Sequence, residues 1–175
     1  MEQIIIVDEN DNCLGVEEKG KCHDGDGILH RAFLAMVFND KGELLLARRS
    51  NKKKLWPGYW DGTVASHLFK GEDYAGATKR RLQQEIGRVT DEIEYLFKFH
   101  YKIGYKDLGT EHEICAVLKV SGIDPDVINP NNEEISEIKF VDPQILLNKF
   151  SDNKMSYAPW FILAMKHLSD RTITL

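Results

Sequence analysis

Three histidines and two glutamates carry the chemistry that is easiest to read from this sequence. His23, His30 and His67 fall on or beside loops and strand starts ahead of a charged helical segment. Glu111 and Glu113 alternate in "TEHEIC", so both carboxylates face one side of a strand while His112 faces the other. Three imidazoles with two carboxylates make a mixed nitrogen and oxygen donor set suited to zinc, manganese or iron. No two of the histidines stand at a recognised short ligand spacing, and each taken singly is better explained as structural or surface. A second pair, Arg81 and Glu85, shares one helix face at i,i+4. Beside a glycine-containing loop such a pair can hold a metal and a phosphate together, although an ordinary surface salt bridge is the simpler reading.

The elements that must position these groups follow from hydrophobic pattern and turn residues. "QIIIVD" and "CLGVEEK" predict two short strands. "LHRAFLAMVF" and "ELLLARRS" predict two more, flanking the hairpin-type turn Asn39-Asp40-Lys41-Gly42. Residues 51–69, including "WPGYWDGTVASHLF", read as loop. "EDYAGATKRRLQQEIG" reads as a helix with Tyr74, Thr78, Leu82 and Ile86 on its apolar stripe and Gly87 as its stop. "EIEYLFKFHYKIGY", "EHEICAVLKV" and "EEISEIKFVD" read as strands, and "PQILLNKF" and "APWFILAMKHL" as closing helices. Residues 121–133 form a loop with no assigned role. The mixed order predicts an α+β architecture in one domain over residues 1–175.

Composition narrows the class. The chain has 175 residues, 42% hydrophobic and 29% charged, the balance of a globular protein. Its net charge of −5 disfavours broad nucleic-acid binding. The cations are nonetheless clumped: "ARRSNKKK" holds five in eight residues and "KRR" three more, which suits a small anionic ligand as well as it suits a solvated basic turn. The apolar runs are too short to span a bilayer, and the N-terminus lacks the marks of a secretory signal. Three scattered cysteines point to a reducing cytoplasm.

Taken in order, "LHRAF", "FNDKGELLLARRS", "WPGYW", "SH", "RRLQQEIG" and "EHEIC" resemble the type 1 isopentenyl diphosphate isomerases of the Nudix superfamily, from about Ile4 to Leu168. The resemblance implies a Nudix α/β/α sandwich around a mixed sheet. It implies one divalent metal, Zn²⁺, Mn²⁺ or Mg²⁺, on His23, His30, His67, Glu111 and Glu113. A second metal, Mg²⁺ bound to the substrate diphosphate, would be held by Glu85. Lys19, Arg49, Lys53 and Arg81 match the diphosphate-binding cations. Trp160 matches the aromatic that stabilises a carbocation, and Tyr101 the tyrosine that assists the proton-moving Glu113. The implied partner is a small organic diphosphate, with neither nucleic acid nor membrane involved, and the implied assembly is a monomer or weak dimer.

The sequence departs from that family in the loop that supplies the opposing acid. The family's T-N-x-x-C-x-H-P reads "DGTVASHL" here, so Asp61, Gly62 and Leu68 replace the threonine, asparagine and proline, and Ala65 replaces the catalytic cysteine. Asp61 is the one new ionisable group, either tuned as a replacement acid or base or capping the loop before Gly62. The Nudix-box positions Arg81 and Gln84 stand where hydrolases carry acids. That departure is shared with the isomerases; a hydrolase of a small organic diphosphate is the alternative activity, and a non-catalytic diphosphate-binding protein is the second alternative.

Overall fold

The computed structural model describes residues 2–152 and 156–171. Five strands form the path of the larger sheet, in the order β2 (Cys13–Glu18), β1 (Gln3–Val7), β3 (His30–Val37), β8 (Gly109–Val120), β7 (Ile93–Tyr105); β6 (Val64–His67) pairs with β3 off that path. The β3–β8 pairing is parallel and the others are antiparallel. A smaller sheet runs β5 (Trp60–Asp61), β4 (Leu44–Arg49), β9 (Ile135–Val141).

The centre of the larger sheet, β3 and β8, is buried on both faces, and strand period explains how. Phe33, Ala35 and Val37 of β3, with Ile114, Ala116 and Leu118 of β8, face the helix α2 (Tyr74–Ile86) through its Ala77, Leu82 and Ile86. The alternate residues Ala32, Leu34, Met36, Cys115 and Val117 face the opposite way. There they meet Trp160, Phe161, Ala164 and Met165 of α4 (Pro159–Asp170). Helix α3 (Pro143–Asp152) adds Leu146 and Phe150 to that second layer. The result is the expected α/β/α sandwich on a mixed sheet. Helix α2 starts at Asp73, whose side chain accepts from Gly76 N–H, and stops at Gly87 in the left-handed region at φ 69°. Among the described residues no helix is long and apolar enough to cross a membrane.

Three local expectations are corrected. The runs flanking Asn39–Gly42 do make a tight turn, with Asn39 N–H to Glu43 O at 3.1 Å and a single Phe38–Leu44 bridge, but they do not continue as a hairpin. β3 already has β8 on one edge and β1 and β6 on the other, so β4 diverges to pair with β9 from Leu44↔Val141 onward. Within 51–69, the stretch read as loop contains β5 and β6. The strand read through Lys19 ends at Glu18, and a five-residue helix, α1 (Lys19–His23), follows.

Candidate functional site

Strand register assembles the histidine and glutamate cluster. His30, the first residue of β3, pairs with Glu113 of the parallel β8, and Ala32 pairs with His67, the last residue of β6. Tyr101 of β7 lies opposite Glu113 from the other side, and Ile103 lies opposite Glu111. His23 arrives from the end of α1. There the backbone of Gly109 approaches so closely that an added Cβ would lie 2.5 Å from the His23 carbonyl oxygen. Gly109 also holds φ at 151°, so both the approach and the conformation require glycine.

The five side chains are buried, and one donor atom from each lies within 4.8 Å of every other. The imidazole centroids are 4.8 to 5.0 Å apart. His23 Nδ1 sits 2.7 Å from Lys19 O and His30 Nδ1 2.7 Å from Ile28 O. Donation from these Nδ1–H groups leaves both Nε2 lone pairs aimed inward, the outer support that metal-ligating histidines need. Within the cluster His30 Nε2 and Glu111 Oε2 are buried without a hydrogen-bond partner among the described residues. Both have close neighbours, Glu113 Oε1 at 3.3 Å and His23 Nε2 at 2.9 Å, but the orientation is not that of a hydrogen bond. Orphaned buried atoms are costly, and a divalent cation among three imidazoles and two carboxylates removes that cost. The residues fit a metal.

Electrostatics agree with a neutral His67 and an ionised Glu113. At His23 burial is outweighed by Glu111, which holds the ring above the ordinary histidine value. Burial drives the His67 ring well below the ordinary histidine value, with His30 and His23 adding to it. Burial works to raise the Glu113 carboxyl, yet His30 and Tyr101 prevail and hold it below the usual value. Tyr101 donates its hydroxyl to Glu113 Oε2 at 2.5 Å, and its own ionisation is pushed far up by burial and by Glu113.

These groups open onto a cavity of about 440 Å³. Lys19, Arg49, Lys53, Arg81, Trp160 and Ala65 share its lining with the cluster. The loop ahead of α2 is anchored by Arg80, which donates to Glu72 at 2.6 and 2.8 Å and to His67 O at 3.1 Å. Arg81 and Glu85, read more simply as a surface pair, are instead buried, with Arg81 Nη2 donating to Glu85 Oε1 at 2.6 Å. Glu85 lines a smaller adjoining cavity with Asp61 and Ala65, not the large one.

Asp61 lies behind the aromatic wall. Its carboxylate accepts from Trp160 Nε1 at 3.0 Å to each oxygen, from Gly62 N–H at 2.8 Å and from Arg49 Nη1 at 3.4 Å. It is therefore the cap before Gly62 and also a fixed partner for two cavity residues, and it does not line the large cavity. Two contributors escaped the sequence reading. Trp56 packs its ring 5.1 Å from that of Trp160, and Glu134 contacts both Lys53 and Arg81. Glu134 is 81 residues from Lys53 in sequence, so no local pattern announces it.

Burial pushes the Asp61 carboxyl up from 3.8 to about 6, against the pull of Arg49. A carboxyl raised in the folded state binds its proton more tightly there than in the unfolded chain. The stability it contributes is full below 3.8 and is lost as pH rises to about 6. Urea unfolding of Asp61→Asn beside the native protein should therefore show a mutational cost that shrinks across that window. A cost that grows with pH contradicts the assignment.

The NUDIX domain model matches residues 28–161. An isopentenyl-diphosphate Delta-isomerase 1 from Photorhabdus laumondii is 38% identical over 162 residues, covering 92% of this chain and 91% of that protein. An isopentenyl-diphosphate Delta-isomerase from Haloarcula marismortui is 37% identical over 181 residues, covering 97% and 92%. The crystal structure of DR0079 from Deinococcus radiodurans matches with a TM-score of 0.76 at 20% identity, over 95% of this chain and 98% of that one. A MutT protein structure from Methanosarcina mazei matches at 0.67 and 17% identity, over 83% and 96%. The two structures share the fold. The sequence relatives, aligned over nearly their full lengths, go further: the chain belongs to the Nudix superfamily and, within it, to the isopentenyl-diphosphate isomerase family.

Proposed function

We propose that the protein is a cytoplasmic, divalent-metal-dependent enzyme that binds a small isoprenoid-type diphosphate and interconverts isopentenyl and dimethylallyl diphosphate. The observation that carries this reading is the convergence of His23, His30, His67, Glu111 and Glu113 beside a cavity that also takes in Lys19, Arg49, Lys53 and Arg81. A metal at the cluster would supply Lewis acidity and fix the charge of Glu111 and Glu113. Glu113 is the base that removes the proton next to the double bond, and Tyr101 orients its carboxylate through Oε2. Trp160 offers a ring face to positive charge developing on the five-carbon skeleton. Asp61 holds the Trp160 indole and Arg49 in place and is a positioning residue.

Lys19, Arg49, Lys53 and Arg81 take the phosphoryl oxygens, and Glu85 would hold the Mg²⁺ that travels with them. Glu85 is engaged with Arg81, so this ligand set requires that pair to share its carboxylate with the cation. The opposite face of the alkene meets Ala65, a methyl group with no proton to give, and a cavity water must protonate there. That observation favours one second reading, slow hydrolysis of the same class of diphosphate.

Incubation with Mg²⁺ and isopentenyl diphosphate in D₂O separates the two. Deuterium entering the carbon skeleton is the expected result. Release of orthophosphate or pyrophosphate without deuterium incorporation replaces the isomerase by the hydrolase, and tight binding with neither product makes the protein a diphosphate receptor.

A further inference from the structure

The loop after β8 has a structural task that points to the phosphate side of the cavity. Asn129 N–H donates to Ile86 O at 3.0 Å, Asn131 N–H to Glu85 O at 2.8 Å, and Asn131 Nδ2 to Gln84 O at 3.2 Å. The loop thus satisfies carbonyls that the end of α2 leaves without helical partners. On its other side Ser50 N–H donates to Glu134 O at 2.9 Å, and Lys53 N–H donates to Ser50 O at 3.1 Å. The segment is tied both to the helix that carries Arg81 and to the turn that carries Lys53, and Glu134 is delivered between them.

Its carboxylate forms an ion pair with Lys53 and lies 3.3 Å from Arg81 Nη2, the same nitrogen that donates to Glu85. Burial works to raise the Glu134 carboxyl, but Lys53 and Arg81 hold it below the ordinary glutamate value, so it is ionised. Glu85 and Glu134 line the smaller adjoining cavity and pair with Lys53 and Arg81, which line the large one, so these two cations reach the large cavity with their charge already engaged. A diphosphate arriving alone must compete with a carboxylate that the backbone holds within reach of both cations. One arriving with a divalent cation brings the charge that both carboxylates tolerate.

We infer that Glu134 is a built-in competitor for the ligand's phosphoryl oxygens and makes diphosphate binding depend on an accompanying divalent cation. This rests on the reading that the cavity takes a diphosphate. Glu134→Gln keeps the side-chain shape and removes the charge, which frees Lys53 and Arg81 for a bare anion. Glu137→Gln is the control, because Glu137 pairs with Arg48 at the exposed surface and neither residue lines the two cavities.

Titration calorimetry with inorganic pyrophosphate, with and without Mg²⁺, tests the inference on the native protein and both variants. The native protein should bind well only with Mg²⁺. Glu134→Gln should gain on the order of tenfold without Mg²⁺ and change little with it. Glu137→Gln should follow the native protein. Glu134→Asp, whose shorter side chain loosens the Lys53 contact, should fall between, and thermal melts confirm that each variant is folded. No gain in Glu134→Gln overturns the inference and leaves the diphosphate reading standing. Loss of Mg²⁺-dependent binding in that variant overturns it by making Glu134 a support for the cations. Absence of pyrophosphate binding in every protein under both conditions removes the diphosphate reading and the inference with it.

Discussion

Ala65→Cys should raise isomerase activity by about 10² to 10⁴, the usual contribution of one positioned acid or base. Ala65 sits two residues before His67 on β6, so both side chains leave the strand on the same face, and Ala65 lines the cavity that holds Glu113 and Tyr101. A thiol placed there meets the substrate space without displacing a core residue. Product formation from isopentenyl diphosphate in Mg²⁺ buffer, with deuterium incorporation as the second readout, measures the gain. An unchanged rate would locate the defect in the backbone at residues 61 and 62. A side chain at Gly62 would put its Cβ 2.7 Å from Leu34 Cδ1, so the family's asparagine cannot enter without moving Leu34. In that outcome Leu34 and Gly62 have to be changed together with Ala65.

Loading the histidine cluster should have the second large effect. Metal that binds the folded chain alone, at about a thousand times its dissociation constant, adds about 4 kcal/mol of stability. For a chain of this size that is a rise of about 10 °C in Tm. Zinc added to metal-free protein and followed by scanning calorimetry should show it. His30→Ala should abolish the rise, because His30 Nε2 is a buried ligand atom with no hydrogen-bond partner among the described residues. Glu111→Gln separates this from a purely structural role. It keeps the side-chain shape but removes the charge beside His23 Nε2 at 2.9 Å that a cation would share, so the metal-free variant should stay folded while gaining little from zinc. A variant equally destabilised in both states would make the cluster a packing feature.

Much of this site was legible because it is written in local pattern. Alternation alone put Glu111 and Glu113 on one face, and β8 carries them so. The every-fourth spacing and Gly87 gave α2 and its C-terminal stop, while its start at Asp73 was not singled out. What could not be read locally was pairing. The turn at Asn39–Gly42 has the chemistry of a hairpin, but competition for the edges of β3 is decided by strands far away in sequence. β5 and β6, two and four residues long, are too short for a period to show. Asp61 illustrates the limit for single residues. Its type allowed either an acid at the reaction centre or a loop cap, and only the packing of Trp160 and Arg49 over it decided where the carboxylate stands.

The sequence by itself determined the membership of the fold and supplied the residue types of the candidate donor set, because residue types in order survive without coordinates. The tertiary structure decided which charges meet. Parallel pairing of β3 with β8 draws His30 to Glu113 across 83 residues, and the loop clipped to α2 brings Glu134 to Lys53 and Arg81. Burial then sets the strength of each of those meetings, since the same charges in water would scarcely attract.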